Sequence, residues 1–261
     1  MPAPRYFGDI VSLTPTSIET WARCRRQFLL GNVLGVPASN SIATPDLGQQ
    51  VHELLRFLHE RGSCHDPAHV EETLHTHGAA SDLHRAMFER HAARCPATSE
   101  REAHEIDVAR FHRFPAPMFM VQARIDAIWV HDGLLDARDY KTGRRFYDRV
   151  ADDPSARVQA FALAPYARRR SLRLRLRYEY LAPEVEDDPE PFEPADDDLD
   201  AIGEELRLAV AAMHNETEWK GCAEVAVCRT CRYRAICPDS AAPGVPEWAA
   251  LALAEEHEGT R

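Results

Sequence analysis

Residues Gln122–Arg145 read QARIDAIWVHDGLLDARDYKTGRR. Asp132-Gly133 is the dipeptide of a two-residue β-hairpin turn, in which the central positions need positive φ. The sequence on either side of it is strand-like. A two-residue loop at 132–133 sets the register. Asp126 then faces Asp139 across the ladder, with Cβ atoms about 5 Å apart. Lys141 lies two residues past Asp139 and shares its face. Two acids and a lysine thus converge on one side of a sheet. Like charges directly opposite one another destabilise a sheet unless a cation lies between them. Two readings follow. One is a salt bridge on an exposed sheet face. The other is a divalent cation on carboxylate oxygens, with Lys141 orienting or activating water beside a phosphodiester.

Lysine is scarce in this chain. Only Lys141 and Lys220 occur, and the rest of the 31 basic residues are Arg. Arg is a wide planar fork that stays charged, whereas Lys is a compact point charge whose pKa can be shifted, so Lys141 stands out. His52 is a third candidate. It follows Gly48 by one helical turn, where a glycine permits close backbone approach; its plainer reading is a partly buried histidine.

Outward from the hairpin, the chain alternates helices and strands. Thr14 is a helix cap and Pro15 suits a first turn; Ile18, Trp21, Phe28 and Leu29 recur at helical spacing, with Gly31 as a stop. A second helix is expected over about 46–61, with Val51, Leu54, Leu55 and Leu58 on its core face. Residues 66–94 read as helical. His59, His65, His69, His75, His77, His84 and His91 show no tight ligand pattern and are expected to be mostly exposed. Strands dominate 105–140, with an irregular turn at Pro115 and Pro117. Asp153-Pro154 opens a helix to about Ala164. Ser171–Tyr180, SLRLRLRYEY, alternates an apolar face with Arg173, Arg175, Arg177 and Glu179. An amphipathic helix is expected over 202–214, and a short Ala-rich helix around Trp248. The order predicts an α/β or α+β fold with a mixed sheet.

The formal net charge is −11, which at first argues against a nucleic-acid partner. The acidity is concentrated. Glu184–Asp200, EVEDDPEPFEPADDDLD, holds ten acids and no base, so the rest of the chain is nearly neutral. That Pro-rich segment reads as a solvated loop or linker. The arginine strand before it reads as either a solvated face or a phosphate-contacting stripe. Collagen-like, coiled-coil and wholly disordered classes are excluded by composition. No apolar run approaches the ~18 residues of a membrane span, and no basic-then-apolar leader is present, so a cytoplasmic protein without membrane contact is expected.

Seven cysteines and no secretory signal make a disulfide framework a poor reading. Cys228, Cys231 and Cys237 form C-x2-C-x5-C. Three clustered thiolates need a fourth ligand, and Cys24, Cys64, Cys95 and Cys222 are available. Paired CxxC knuckles of a zinc ribbon are absent, and an iron–sulfur cluster suits the spacing at least as well.

Together these pieces resemble the PD-(D/E)XK nuclease superfamily. Within it they resemble the RecB-type nucleases with an iron–sulfur cluster, namely the AddB nuclease domain and the CRISPR-associated RecB-like exonucleases. LTPTSIETWARCRRQF at 13–28 resembles the helix with the first cluster cysteine. DLGQQVHELL at 46–55 resembles the histidine motif. ARIDAI at 123–128 is similar to the strand of the metal-binding aspartate. DYKTG at 139–143 matches D/E-x-K, and CRTCRYRAIC at 228–237 resembles the terminal cluster motif. The five motifs follow the family's order over nearly the whole chain. There are departures. Gln159 is followed four residues on by Leu163 rather than tyrosine, and the next tyrosine is Tyr166. Arg25 follows the first cysteine where proline is common. No GxxxxGK[ST] loop is present, so ATP-driven unwinding must come from a partner.

The resemblance implies a restriction-endonuclease-like α/β fold, with a mixed β-sheet flanked by helices. It implies one nuclease domain over 1–261, comprising a helical part to 100, a catalytic sheet core at 101–182, an acidic loop at 183–200 and a helical Cys-cluster part from 201. His52, Asp126, Asp139 and the Tyr140 carbonyl would bind Mg²⁺ or Mn²⁺, and Lys141 would help the attacking water. Cys24, Cys228, Cys231 and Cys237 would hold a 4Fe-4S cluster, with zinc as the lesser alternative, tying the chain ends together. DNA with a single-stranded end would be the substrate of an exonuclease in repair, recombination or defence. Gln159, Tyr166, Arg173, Arg175 and Arg177 are candidate DNA contacts, and a helicase is a candidate partner. The alternatives are a non-catalytic iron–sulfur DNA-binding subunit of a helicase–nuclease complex, and a hydrolase or transferase unrelated to nucleic acid.

Overall fold

A computed structural model describes residues 11–37, 47–60, 64–79, 81–96, 101–112 and 118–241. The chain divides into two compact units. One comprises residues 1–42, 111–120 and 205–261, and the other 43–110 and 121–204. The fold is mixed α/β, with a sheet of restriction-endonuclease-like character and flanking helices.

The second unit is built on the hairpin. β3 (Phe119–His131) and β4 (Leu134–Lys141) pair antiparallel, with His131 opposite Leu134 and Ala127 opposite Arg138. Asp132 and Gly133 sit at φ 49 and 71, the two positive values of a type I′ turn. The expected register is therefore present. From β4 the chain crosses through helix α6 (Pro154–Arg169) to β5 (Arg173–Tyr180), which runs parallel to β4 and places Tyr178 beside Asp139. β2 (Arg101–His112) pairs with β3, completing a mixed sheet. β4 is central and buries residues of both faces, as a strand between two neighbours must. Its buried Asp136 and Arg138 form an ion network, with Arg138 3.2 Å from Asp136 and 2.9 Å from Glu179 of β5.

Helix α6 starts where the sequence places it. Asp153 caps the Ser155 N–H at 2.8 Å and Pro154 occupies the first turn. It continues past Ala164 to Arg169, with Pro165 inside, because Ala160–Ala164 and Ala167 are buried. Helices α3 (Leu47–Glu60), α4 (Pro67–Thr76) and α5 (Asp82–Ala92) complete this unit. The stretch over 66–94 that reads as helical forms two helices, with Gly78 at φ 67 between them. Three histidines expected at the surface, His59, His84 and His91, are buried.

The acidic segment is a loop over 184–195 with most of its acids exposed, and it is anchored to the fold at particular residues. Asp188 pairs with Arg94 at 2.9 Å and accepts the Tyr180 N–H at 2.8 Å, and Glu193 pairs with Arg175 at 2.6 Å. Helix α7 (Asp196–Asn215) begins six residues earlier than 202, because Asp196, Asp197 and Asp198 complement the positive end of the helix dipole.

In the first unit, β1 (Val11–Leu13) precedes α1 (Pro15–Arg23) and pairs with β3, whose first two residues belong to the same unit. Thr14 and Ser17 form a reciprocal capping box. The helix breaks at Cys24, which is extended at φ −157, and restarts as α2 (Arg25–Phe28). A π-turn follows at Leu29–Val33, so Gly31 is not the expected stop. Gly31 instead permits close approach: a Cβ there would lie 2.7 Å from the Tyr233 hydroxyl. Trp21, Phe28 and Trp219 pack together, and α8 (Val225–Thr230) leads into the terminal cysteines. The expected turn at Pro115 and Pro117 and the helix around Trp248 lie outside the described residues. Among the described residues, no helix is long and apolar enough to cross a membrane.

Candidate active site

The ladder of β3 and β4 ends at Ala127 and Arg138, one residue short of Asp126 and Asp139, and side chains take over. Asp126 Oδ2 accepts the Tyr140 backbone N–H at 2.8 Å. Asp126 Oδ1 lies 3.3 Å from His52 Nδ1, and the other nitrogen of that ring, Nε2, lies 2.8 Å from the Tyr140 carbonyl oxygen. Helix α3 thereby brings His52 onto the strand that carries Asp139. Asp139 Oδ1 pairs with Lys141 Nζ at 2.9 Å, and its Oδ2 accepts from Gln159 Nε2 at 3.0 Å. The Lys141 ammonium also sits 4.2 Å from the centre of the Tyr178 ring. Tyr178 is held in turn by its hydroxyl, which donates to Asp153 Oδ2 at 2.6 Å. The structure thus brings together His52, Asp126, Asp139, Tyr140, Lys141 and Gln159.

The electrostatics follow from two acids in a partly dry place. Burial pushes the Asp139 carboxyl up, and the charge of Asp126 adds to this, against Lys141 and Gln159. Burial would lower His52, but the hydrogen bond and charge of Asp126 outweigh it, so the imidazole is raised. Lys141 is likewise raised by Asp139 against its own burial. Each acid therefore leans on a neighbouring cation or proton. The donor set of two carboxylates, a backbone carbonyl and an imidazole fits a divalent metal of the Mg²⁺ or Mn²⁺ class. An open pocket lined by Gly48, Gln49, His52, Glu53, Arg124 and Asp126 gives access to it.

The family model of the PD-(D/E)XK nuclease superfamily matches residues 12–238. The chain belongs to this superfamily. Membership implies nuclease, and so hydrolase, activity, and nucleases of this superfamily typically use divalent metals. No curated protein matches the chain. Among solved structures it is similar to the crystal structure of SSO0001, at 17% identity over 87% of this chain and 85% of that one, with a TM-score of 0.39.

Other residues singled out in the sequence lie elsewhere. Tyr166 accepts from Arg170 Nη1 at 2.9 Å, and that guanidinium lies 5.4 Å from the centre of its ring. Arg173, Arg175 and Arg177 lie on the sheet face opposite Asp139, since Tyr178, not Arg177, is its register partner. Arg173 and Arg175 pair with Glu193, and Arg177 lies 3.3 Å from the buried Asp136.

Cys24, Cys228, Cys231 and Cys237 do meet, lining one cavity in the first unit. Cys222 lines it as well, a fifth thiol the motif alone does not place there. Burial pushes the Cys237 thiol up to about 11 and raises Cys231 too, the latter with Cys24 and Cys228 adding to the effect. Cys64 and Cys95 are in the second unit and sit beside His59 and His91, forming a group that can hold a metal. The motif reading missed that group; its signal in the sequence is two short arms, His59-x4-Cys64 and His91-x3-Cys95.

Proposed function

We propose that the protein is a Mg²⁺- or Mn²⁺-dependent deoxyribonuclease of the RecB and AddB type, acting as an exonuclease on single-stranded DNA ends. The observation that carries this reading is the convergence of His52, Asp126, Asp139 and Lys141 around the Tyr140 backbone. In this reading His52, Asp126, Asp139 and the Tyr140 carbonyl hold the metal. Bound there, the metal supplies Lewis-acid activation of water and charge neutralisation at the phosphodiester. Gln159 and Tyr178 hold Asp139 and Lys141 in place. The Lys141 ammonium, a compact point charge held beside Asp139, would orient the attacking water and steady the developing phosphorane charge.

The cysteine cavity supports a 4Fe-4S cluster on Cys24, Cys228, Cys231 and Cys237. Thiolate donors drawn from both ends of the chain would make it a structural staple of the first unit. A helicase partner would supply unwinding in DNA repair, recombination or defence, in an intracellular setting.

The test is cleavage of end-labelled single- and double-stranded DNA and RNA, with and without Mg²⁺ or Mn²⁺, beside Asp139→Asn and Lys141→Ala. Metal-dependent release of nucleotides from a DNA end, lost in both variants, is expected. Cleavage that survives both substitutions overturns the site. Binding to DNA without cleavage at any metal concentration favours a non-catalytic DNA-binding subunit. For the cluster, anaerobically purified protein should show broad visible absorbance that dithionite bleaches and that disappears in Cys228→Ser.

A further inference from the structure

We propose that His59, Cys64, His91 and Cys95 hold a structural Zn²⁺ ion in the second unit, separate from the nuclease metal and from the terminal cysteines. The four ligand atoms all lie within 4.8 Å of one another. His59 Nε2 and His91 Nε2 are 2.8 Å apart, Cys64 Sγ and Cys95 Sγ 3.0 Å, and Cys95 Sγ and His59 Nε2 3.4 Å. A tetrahedral zinc with ordinary Zn–N and Zn–S bonds has edges of about 3.3 to 3.8 Å. The donors need to part by less than about 1 Å along any of these edges to admit it. Both cysteines are free thiols, and their sulfurs are well beyond the roughly 2.05 Å of an S–S bond.

The surroundings are those of a metal ligand shell. His59, Cys64 and His91 are buried, at 1%, 2% and 0% exposure. His91 Nδ1 lies 2.6 Å from Glu179 Oε1, so the ring donates there and turns the Nε2 lone pair toward the other three donors. Arg138 holds the second Glu179 oxygen at 2.9 Å and donates to the carbonyl of Arg94, the residue before Cys95. A carboxylate behind a histidine is the usual support of a zinc site. Charge also balances. Two thiolates cancel the charge of Zn²⁺, so the buried site gains no net charge, and an N2S2 tetrahedral set selects zinc.

His59 and His91 lie in the last turns of α3 and α5, and Cys64 and Cys95 follow those helices in the chain. The ion therefore clamps the C-terminal ends of α3 and α5 against β4 and β5. Helix α3 carries His52 two turns before His59. The Tyr140 ring lies 6.2 Å from the His59 ring and 5.3 Å from the His91 ring, and its carbonyl faces His52. The zinc would thus fix the helix that presents His52, whatever that histidine does.

The experiment is metal analysis of the full-length chain purified anaerobically, with zinc and iron counted separately, and zinc K-edge X-ray absorption of the same sample. One zinc per chain in a shell of two sulfurs and two nitrogens is expected. Zinc should be lost in Cys64→Ser and Cys95→Ser and retained in Cys228→Ser, where any iron is lost. A shell of four sulfurs, zinc retained in Cys64→Ser, wild-type protein without zinc, or a Cys64–Cys95 disulfide by peptide mass each overturns the site. The absorption shell is read on wild-type protein, so a Cys64 variant that fails to fold does not blunt the test. Nuclease activity is not a readout here, so the outcome stands apart from the reading of Asp126 and Asp139.

Discussion

Asp126 Oδ2 accepts the backbone N–H of Tyr140 at 2.8 Å, so a side chain occupies the place where a ladder hydrogen bond would otherwise form. That contact ties one carboxylate to the strand bearing the other and leaves Oδ1 facing His52. Asp126→Asn retains an oxygen for the Tyr140 N–H, and Asp126→Ala does not. Urea unfolding should therefore show a loss of about 1–3 kcal/mol for Asp126→Ala and a smaller loss for Asp126→Asn. Metal-dependent DNA cleavage should vanish in both. Equal destabilisation by the two substitutions would show that the backbone contact contributes nothing.

The pH behaviour of His52 follows from the same pair. Asp126 raises the imidazole above its ordinary 6.5. A raised histidine contributes stability that is fully present below 6.5 and is lost as pH rises through the higher folded value. The metal needs the neutral ring, so Mn²⁺ affinity should rise across that same interval. An NMR titration of metal-free protein should place the His52 midpoint above 6.5, and Asp126→Asn should bring it down. A midpoint at or below the ordinary value in wild type refutes the coupling.

The hairpin and its acid pair were legible because their causes are local. Asp132-Gly133 sets the turn, the turn sets the register, and the register brings Asp126 and Asp139 together. The arginine strand was legible as a strand, but its role was not. Arg175 meets Glu193 eighteen residues away, and which anion covers a cationic face depends on where the following chain folds back. The histidines failed for a related reason. His59 and His91 sit on separate helices and become buried only when α3 and α5 pack on the sheet, so no single window marks them as interior. The acid-rich helix start at Asp196 was hidden by composition, because the same aspartates suit a solvated loop and a helix N-terminus.

Glu193 pairs with Arg173 at 3.3 Å and with Arg175 at 2.6 Å, on the sheet face opposite Asp139. Exposed ion pairs of this kind contribute about 0–1 kcal/mol each. The double substitution Arg173→Ala with Arg175→Ala should therefore leave cleavage of a DNA end within about two-fold of wild type and change stability by less than about 2 kcal/mol. A ten-fold rise in KM, with a reduced salt dependence of DNA binding, would assign the stripe to phosphate contact after all.

Gly203 in α7 lies against Phe161 of α6. A Cβ there would lie 2.9 Å from Cε2 of Phe161, a ring only 1% exposed on the helix that carries Gln159. Two effects oppose each other in Gly203→Ala. Alanine gains about 1 kcal/mol in helix propensity over glycine. Overpacking a filled core costs about 1–3 kcal/mol. The ring is enclosed and cannot swing into solvent, so packing should win, with a net loss of up to about 2 kcal/mol. The urea midpoint should fall with an unchanged m value, and Gly203→Val should fall further. Displacing Phe161 also moves α6 near Gln159, so kcat should drop more than KM changes. A midpoint that rises in Gly203→Ala would mean the ring has room, and that close helix approach here does not depend on glycine.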